Sequence, residues 1–379
     1  MNHPRPVPVF LHDIDADFEI PVFTISSASA FERGEQYGTQ ARAQIDASIA
    51  CYSRLFSISH GLDWSEVAER ALIWEPIVGK YDADIADEIR GIAHGAGREL
   101  GEILALNARG EMVYAQFLKA EGCTSFALLA DGNASGHAFA GQNWDWRMLS
   151  KDSRVILRIE QPPKPTITMV VEAGQVGRHG ANSAGLAVFA NGLPAKASEL
   201  GVPQALIRRK VLDQHRFDRA LEVVLGAEQQ IPANVLIAHR DFAIDVETTP
   251  TEHRWEYPQD GVIAHANHFE YFQGAEYQPR LGADSLYRGY LMRQSLNRLR
   301  SESDVGAVLR GIGTAFANKF GHPNSIAAHP DPDEPEHLQW GTLSSSIVDL
   351  TEGTWYITDG PADTRAYRRL GWSVFDERI

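Results

Sequence analysis

Residues 122–146, GCTSFALLADGNASGHAFAGQNWDW, decide how this chain is read. Two strand-like runs, CTSFALLA and HAFAGQNWDW, flank the turn-forming DGNASG, a pattern that predicts a β-hairpin. Cys123, one of only two cysteines, opens the first strand directly after Gly122. Centring the hairpin on Ala134 sets Cys123 opposite Asp145. Opposed side chains share a face with Cβ atoms ~5 Å apart. A one-residue slip would put Trp144 opposite instead and turn Asp145 to the other side.

A carboxylate beside a thiol raises the thiol pKa, so the pair alone makes a poor nucleophile. It gains a purpose if a cation stands between them. The α-amine freed by cutting the chain before Cys123 is such a group, with a reference pKa of ~7.7–8.0. That amine can serve as base to its own residue's thiol. Gly122, lacking a side chain, leaves its carbonyl open to attack. Against this, a cysteine next to a carboxylate is more often a small buried hydrophobe, and no Cys–His spacing here matches a local cysteine-protease signature.

Ahead of the hairpin, residues 27–120 are mostly helical in pattern. SASAFERGEQYGTQARAQIDASIACYSRLFS spaces Tyr37, Ile45, Ile49, Tyr52 and Phe56 as a buried stripe, with Ser27 or Ser29 as cap and Cys51 in helix packing. The small residues Gly91, Ala93, Gly95 and Gly97 point to close approach of another backbone. Behind the hairpin come the strands RVILRIE, TITMVVEAG, GLAVFANG, ANVLIAH and FAIDVETT, interrupted by a helical insertion over 198–228. SLYRGYLMRQSLNRLRS and DVGAVLRGIG read as helices and SSSIVDLTEGTWYITDG as a closing hairpin. This blockwise order predicts an α+β layered domain rather than alternating βαβ units.

A chain of 379 residues buries a full core, and 44% hydrophobic with 22% charged residues is ordinary for a soluble protein. The formal charge of −15 argues against nucleic acid or an anionic membrane as partner. Two cysteines make no disulfide framework. MNHPRPVPVFLHDIDADFEIP has no signal-type apolar core, and no run approaches a membrane span, so the cytoplasm is the expected compartment.

EIRGIAHGAGRELGEILALNARGE running into GCTSFALL and GQNWDW resembles the isopenicillin-N acyltransferase (penicillin acyltransferase) family of N-terminal-nucleophile hydrolases. GANSAGLAVFANGL, FAIDVETTP, HANHF and SSSIVDLTEGTWYITDGP continue the likeness in order, over roughly residues 25–365. The resemblance implies a four-layer αββα sandwich and a precursor that cuts itself between Gly122 and Cys123. Fragments 1–122, mainly helical, and 123–379, catalytic, would then form one compact domain. It implies Cys123 as nucleophile on a linear amide or thioester, Asp145 orienting the new amine, and Asn267 donating to the oxyanion. Asn182 would help form the site, Thr124 would hydrogen-bond near it, and Arg288 or, second, Arg280 would aid processing or substrate recognition. The acyl group would pass to water or an amine. No metal or organic cofactor is implied, although coenzyme A fits as a co-substrate. A β-lactam substrate does not follow, because fold and nucleophile transfer better than substrate does.

The competing reading is a catalytically silent binding or scaffold protein with a structural Cys123. Retention of Cys123, Asp145 and Asn267 together counts against it. His265 and His268 in HANHF lack the companions of a zinc site, so packing is their expected role, as for His239. GIAHGAGRELG is no phosphate loop, and IRRKVLDQHRFDR reads as a solvated helix face. Trp144 and Trp146 are expected as core anchors. Ser344–Ser346 have no GxSxG elbow.

Overall fold

The computed structural model describes residues 10–11, 13–114, 122–194, 200–274 and 282–376. The chain begins with β1 (Phe10–Leu11) and β2 (Val22–Ser26). Helices follow as α1 (Ala30–Gln40), α2 (Arg42–His60), α3 (Trp64–Ala71), α4 (Glu75–Tyr81), α5 (Ala83–Ala96), α6 (Leu100–Asn107) and α7 (Arg109–Tyr114). Next are β3 (Cys123–Leu128), β4 (Phe139–Arg147), β5 (Arg154–Glu160), β6 (Ile167–Glu172), β7 (His179–Asn182) and β8 (Ala187–Gly192). The insertion forms α8 (Gln204–Leu212) and α9 (Phe217–Leu225), before β9 (Ala233–His239), β10 (Phe242–Thr248), β11 (His253–Glu256) and β12 (Val262–His265). Helices α10 (Asp284–Asn297) and α11 (Val305–Phe316) precede β13 (Trp340–Asp349), β14 (Thr354–Ile357) and β15 (Tyr367–Arg369).

Local chemistry sets the helical ends. Ser29 caps α1 by accepting from Glu32 N, and Asp63 with Glu66 forms a capping box on α3. The stripe Tyr37, Ile45, Ile49, Tyr52 and Phe56 is buried as its spacing predicts. So is Cys51, whose thiol burial pushes up to about 12. Helices α1 and α5 cross at backbone contact: a Cβ on Gly34 would stand 2.0 Å from Glu88 O, and one on Gly91 2.1 Å from Phe31 O. Only glycine allows that approach.

The strands form two sheets, ordered β11-β10-β9-β8-β7-β6-β5-β2 and β1-β15-β14-β13-β4-β3-β12. Pairing is antiparallel except for β2 on β5 and β1 on β15. Ile156, Val170, Phe189 and Leu236 of the first sheet meet Ala127, Trp144, Leu343 and Trp355 of the second in a dry interface. Outside, α1–α6 with α8 and α9 cover the eight-stranded sheet, while α10 and α11 cover the seven-stranded one. The result is the four-layer αββα sandwich. Among the described residues no helix is long and apolar enough to cross a membrane.

The register of β3 on β4 differs from the symmetric expectation. Cys123 pairs with Trp144, not with Asp145. The pairing centres the loop between residues 133 and 134, where the Asn133 amide donates to Leu129 O (3.0 Å) and His137 O (2.9 Å) across the turn. Cys123 and Trp144 therefore face the eight-stranded sheet, and Trp144 and Trp146 are core anchors between the sheets. Asp145 turns toward the outer helices.

Candidate active site

Cys123 is fully buried at the first position of β3, a strand buried along its whole length. Its main chain is gripped on every polar atom nearby. Cys123 N–H donates to Asn267 Oδ1 at 2.8 Å, and Arg288 Nη1 donates to Cys123 O at 2.6 Å. One residue earlier, Gly122 O accepts from Asp145 N–H at 3.0 Å. The thiol and the Asp145 carboxyl thus leave opposite faces of the sheet. What brings the two residues together is the peptide link between Gly122 and Cys123.

Asp145 has no exposed surface. Its Oδ1 accepts from Thr342 Oγ1 at 2.6 Å, and Thr342 Oγ1 itself accepts from Ala328 N–H, so its own hydrogen must point at Asp145. A bulge in β13 between Thr342 and Ser344 creates this alignment, a frequent use of bulges beside active sites. The other carboxyl oxygen, Oδ2, has no hydrogen-bond partner among the described residues. Burial pushes the Asp145 carboxyl up to about 8, against the downward pull of the Arg288 charge and the Thr342 bond. A buried, half-satisfied carboxyl of this kind is unfavourable unless a cation or donor joins it.

Asn267 follows β12 and is braced at both ends. Its N–H donates to Ser285 Oγ (2.6 Å) and its Nδ2 to Gly192 O (3.0 Å). Two donors, Cys123 N–H and Arg288 Nη2 (2.9 Å), converge on Oδ1 and fix which way the amide points. Arg288 is itself buried on α10 and also donates to Thr124 Oγ1 (3.0 Å) and, through Nε, to Asp284 Oδ2 (2.9 Å). A guanidinium so engaged is a brace for the main chain of Cys123 rather than a free hand for substrate.

Gly122, Cys123, Thr124, Asp145, Asn267 and Arg288 therefore form one cluster. Asn182 is not in it. Its amide donates to Leu212 O and Gln214 O, each at 2.8 Å, and its Oδ1 accepts from Ala184 N–H and Leu186 N–H. Asn182 lies across from Ile167, on the side of its sheet that faces the outer helices, so it clamps a turn. Arg280 lies outside the described residues. The asparagine that reaches across from the eight-stranded sheet is Asn191, which donates to Ser125 Oγ (2.8 Å), Asn234 Oδ1 (3.0 Å) and His265 O (3.2 Å). The signal for it in the sequence is a lone amide inside the apolar strand GLAVFANG.

A cleft opens beside Asn191 and Gly192, its other walls including Arg109, Glu111, Gln204 and Arg208. Cys123 is not one of its walls, but Gly192, which holds Asn267, is. Burial raises the Glu111 carboxyl to about 7, despite hydrogen bonds from Gln204 N–H and its own backbone. The cleft walls expose more carbon than polar surface but carry Arg109, Glu111, Gln204 and Arg208, placed polar groups of the kind that orient a ligand's polar head. Among the described residues there is no group of three or more histidines, cysteines and acids that could hold a metal ion.

Residues 132–359 match the family described as acyl-coenzyme A:6-aminopenicillanic acid acyl-transferase. The chain is 30% identical over 240 residues to the acyl-coenzyme A:6-aminopenicillanic-acid-acyltransferase 40 kDa form of Emericella nidulans. That match covers 62% of this chain and 66% of the relative, just under two thirds of its length. Among solved structures, penicillin V acylase from Agrobacterium tumefaciens aligns at 15% identity and TM-score 0.43, covering 62% of this chain and 83% of that one. An N-acylethanolamine-hydrolyzing acid amidase ortholog from Caenorhabditis elegans aligns at 14% identity and TM-score 0.42, over 60% and 93%.

Proposed function

We propose that this chain, which belongs to the acyl-coenzyme A:6-aminopenicillanic acid acyl-transferase family, is a self-processing cysteine amidohydrolase or acyltransferase with Cys123 as nucleophile. The observation that carries the reading is the treatment of one peptide link: Gly122 O, Cys123 N and Cys123 O are each held by Asp145, Asn267 and Arg288 respectively.

In the precursor, Cys123 Sγ adds to the Gly122 carbonyl carbon. Asp145 N–H already points at the oxygen that becomes negative, the requirement for an oxyanion donor. The C–N bond breaks as the nitrogen takes the thiol proton, leaving a thioester and a free α-amine. Water then releases the Gly122 carboxylate and restores the thiol. Fragments 1–122 and 123–379 stay together through buried polar contacts. Trp146 Nε1 donates to Tyr52 OH (2.8 Å), Tyr52 OH donates to Glu172 Oε1 (2.6 Å), and Arg109 donates to Glu172 Oε2.

In the mature protein the amine keeps Asn267 Oδ1 as a partner and, when protonated, satisfies Asp145 Oδ2. The neutral amine takes the thiol proton as Sγ attacks a linear amide or a thioester, then returns it to the leaving group. Asn267 Nδ2 supplies a donor to the oxyanion, and Arg288 with Thr124 keeps the Cys123 main chain in place. The acyl-cysteine passes its acyl group to water or to an amine. Arg109 and Arg208 in the cleft suit an anionic group on substrate or on a coenzyme A co-substrate. Two buried cysteine thiols, neither in a disulfide, fit the cytoplasm as the compartment.

Intact-mass analysis tests the proposal directly. Purified protein should appear as two pieces split between Gly122 and Cys123, and Cys123→Ala should stay whole. An active protein that keeps the Gly122–Cys123 bond ends this reading.

A further inference from the structure

Asn267 is held from behind by a second buried polar cluster. His265 closes β12 two residues before it, fully enclosed. The His265 Nδ1 lies 2.9 Å from Ala266 O, and Nε2 lies 2.9 Å from Glu247 Oε1 on β10. A carbonyl oxygen has no proton to give, so Nδ1 must carry one. Glu247 Oε1 also accepts the N–H of Glu270, and Oε2 accepts those of Tyr271 (3.1 Å) and Phe272 (3.2 Å). Glu247 is thus an acceptor toward every neighbour, so Nε2 is also a donor and the ring is an imidazolium.

The geometry has an economy that packing alone does not require. One carboxylate grips the chain before Asn267, through His265, and after it, through three consecutive amides. The peptide unit between Ala266 and Asn267 is fixed on both sides, its oxygen by His265 Nδ1 and its N–H by Ser285 Oγ. His265 O accepts from Asn191, which ties the same loop to the floor of the cleft.

We propose that Glu247 is a positioning residue: through the His265 imidazolium and the 270–272 amides it sets where the Asn267 side chain stands against the nitrogen of Cys123. This rests on the nucleophile assigned above. The other charges around the ring are consistent with it. Asp245, also on β10, binds Asn234 Nδ2 (2.7 Å) and Tyr271 OH (2.6 Å), and Glu270 pairs with Arg293 of α10 (2.8 Å). His268, beside Ser285 Oγ, is held below its usual range, chiefly by burial. Burial also pulls His265 down, but Asp245, Glu247 and Glu270 outweigh it and push the ring up to about 9.

The direction of any pH effect follows. A histidine whose folded pKa is raised contributes fully below ~6.5 and loses that contribution as pH climbs through the folded value. The grip on Asn267 should therefore slacken near pH 9. The test uses self-cleavage, which needs no substrate. Precursor made by cell-free translation is quenched at intervals and weighed, for the wild type, Glu247→Gln and Glu247→Asp. Glu247→Gln should cleave at least about tenfold more slowly, with its high-pH decline displaced acidward by a unit or more. Glu247→Asp should recover part of the rate, and both variants should melt cooperatively. Cleavage of Glu247→Gln at the wild-type rate and with the wild-type pH profile overturns the assignment. Independently, ¹⁵N-histidine NMR of the intact wild-type chain should reveal one ring protonated on both nitrogens at pH 8, and no such ring there refutes it. A wild type that never cleaves refutes the nucleophile, while the NMR result still decides the state of His265.

Discussion

Asp145→Asn in a Cys123→Ala background isolates the carboxyl that waits for an amine. In the uncut chain the Asp145 carboxyl sits near 8, against ~3.9 for an unfolded aspartate. The sign of the effect is that of a raised pKa. Below about pH 4 both states hold the proton and nothing is lost. From there upward the unfolded chain ionises while the folded one does not, so stability drains away until about pH 8 and is flat beyond. Between pH 5 and pH 8 this amounts to roughly 3–4 kcal/mol. Asparagine keeps the oxygen that accepts from Thr342 and removes the titration. Urea unfolding of Cys123→Ala and of the double variant at pH 5, 6.5 and 8 gives the difference free of every other carboxylate. The gap between them should widen by that amount as pH rises. A constant gap across the three pH values would mean that Asp145 is already ionised and compensated, and the waiting-carboxyl argument would fail. Wild-type protein after cleavage should lie close to the double variant's slope, because the new ammonium supplies the missing charge.

Asn267→Ala should slow self-cleavage and, in the fraction that has been cut, lower kcat by 10²–10³, about 3–4 kcal/mol of barrier, with the two fragments still co-eluting in gel filtration. Asn182→Ala should do the reverse, leaving kcat unchanged while reducing stability in urea by on the order of 2 kcal/mol, since its four hydrogen bonds clamp a turn. Glu172→Gln takes a buried counter-charge away from Arg109 and from Arg178, whose Nη1 lies 3.6 Å from it, and should cost about 3–5 kcal/mol. Its readout is the urea concentration at which the cleaved pieces separate.

What could be read from the letters alone divides along physical lines. Helix spacing and small residues carry their own geometry, so the stripe from Tyr37 to Phe56 and the close approach at Gly91 and Gly95 were legible. The αββα layering followed from the order of helical and strand-like blocks with the family resemblance. The β3–β4 register was not legible, because a loop of this length admits either centre, and the letters do not show the Asn133 amide bridging it to Leu129 O and His137 O. Asn182 and Asn191 illustrate the same limit. Asn182 closes β7 and Asn191 lies inside β8, both buried strands, and nothing in the letters of such a strand tells which face looks toward Cys123. The charge of His265 depends on Glu247, eighteen positions away on a different strand, which no local spacing reveals.

The placement of the first two strands has a consequence for the cleaved molecule. β2 forms one border of the eight-stranded sheet through β5, and β1 forms one border of the seven-stranded sheet through β15, both supplied by sequence that precedes Cys123. Separation of the two pieces would strip a border from each sheet at once, leaving rows of unbonded amides open to strand addition by any passing chain. A chain cut before Cys123, as proposed above, would therefore be committed to permanent partnership, a heterodimer born from one translation product whose halves have no safe existence apart.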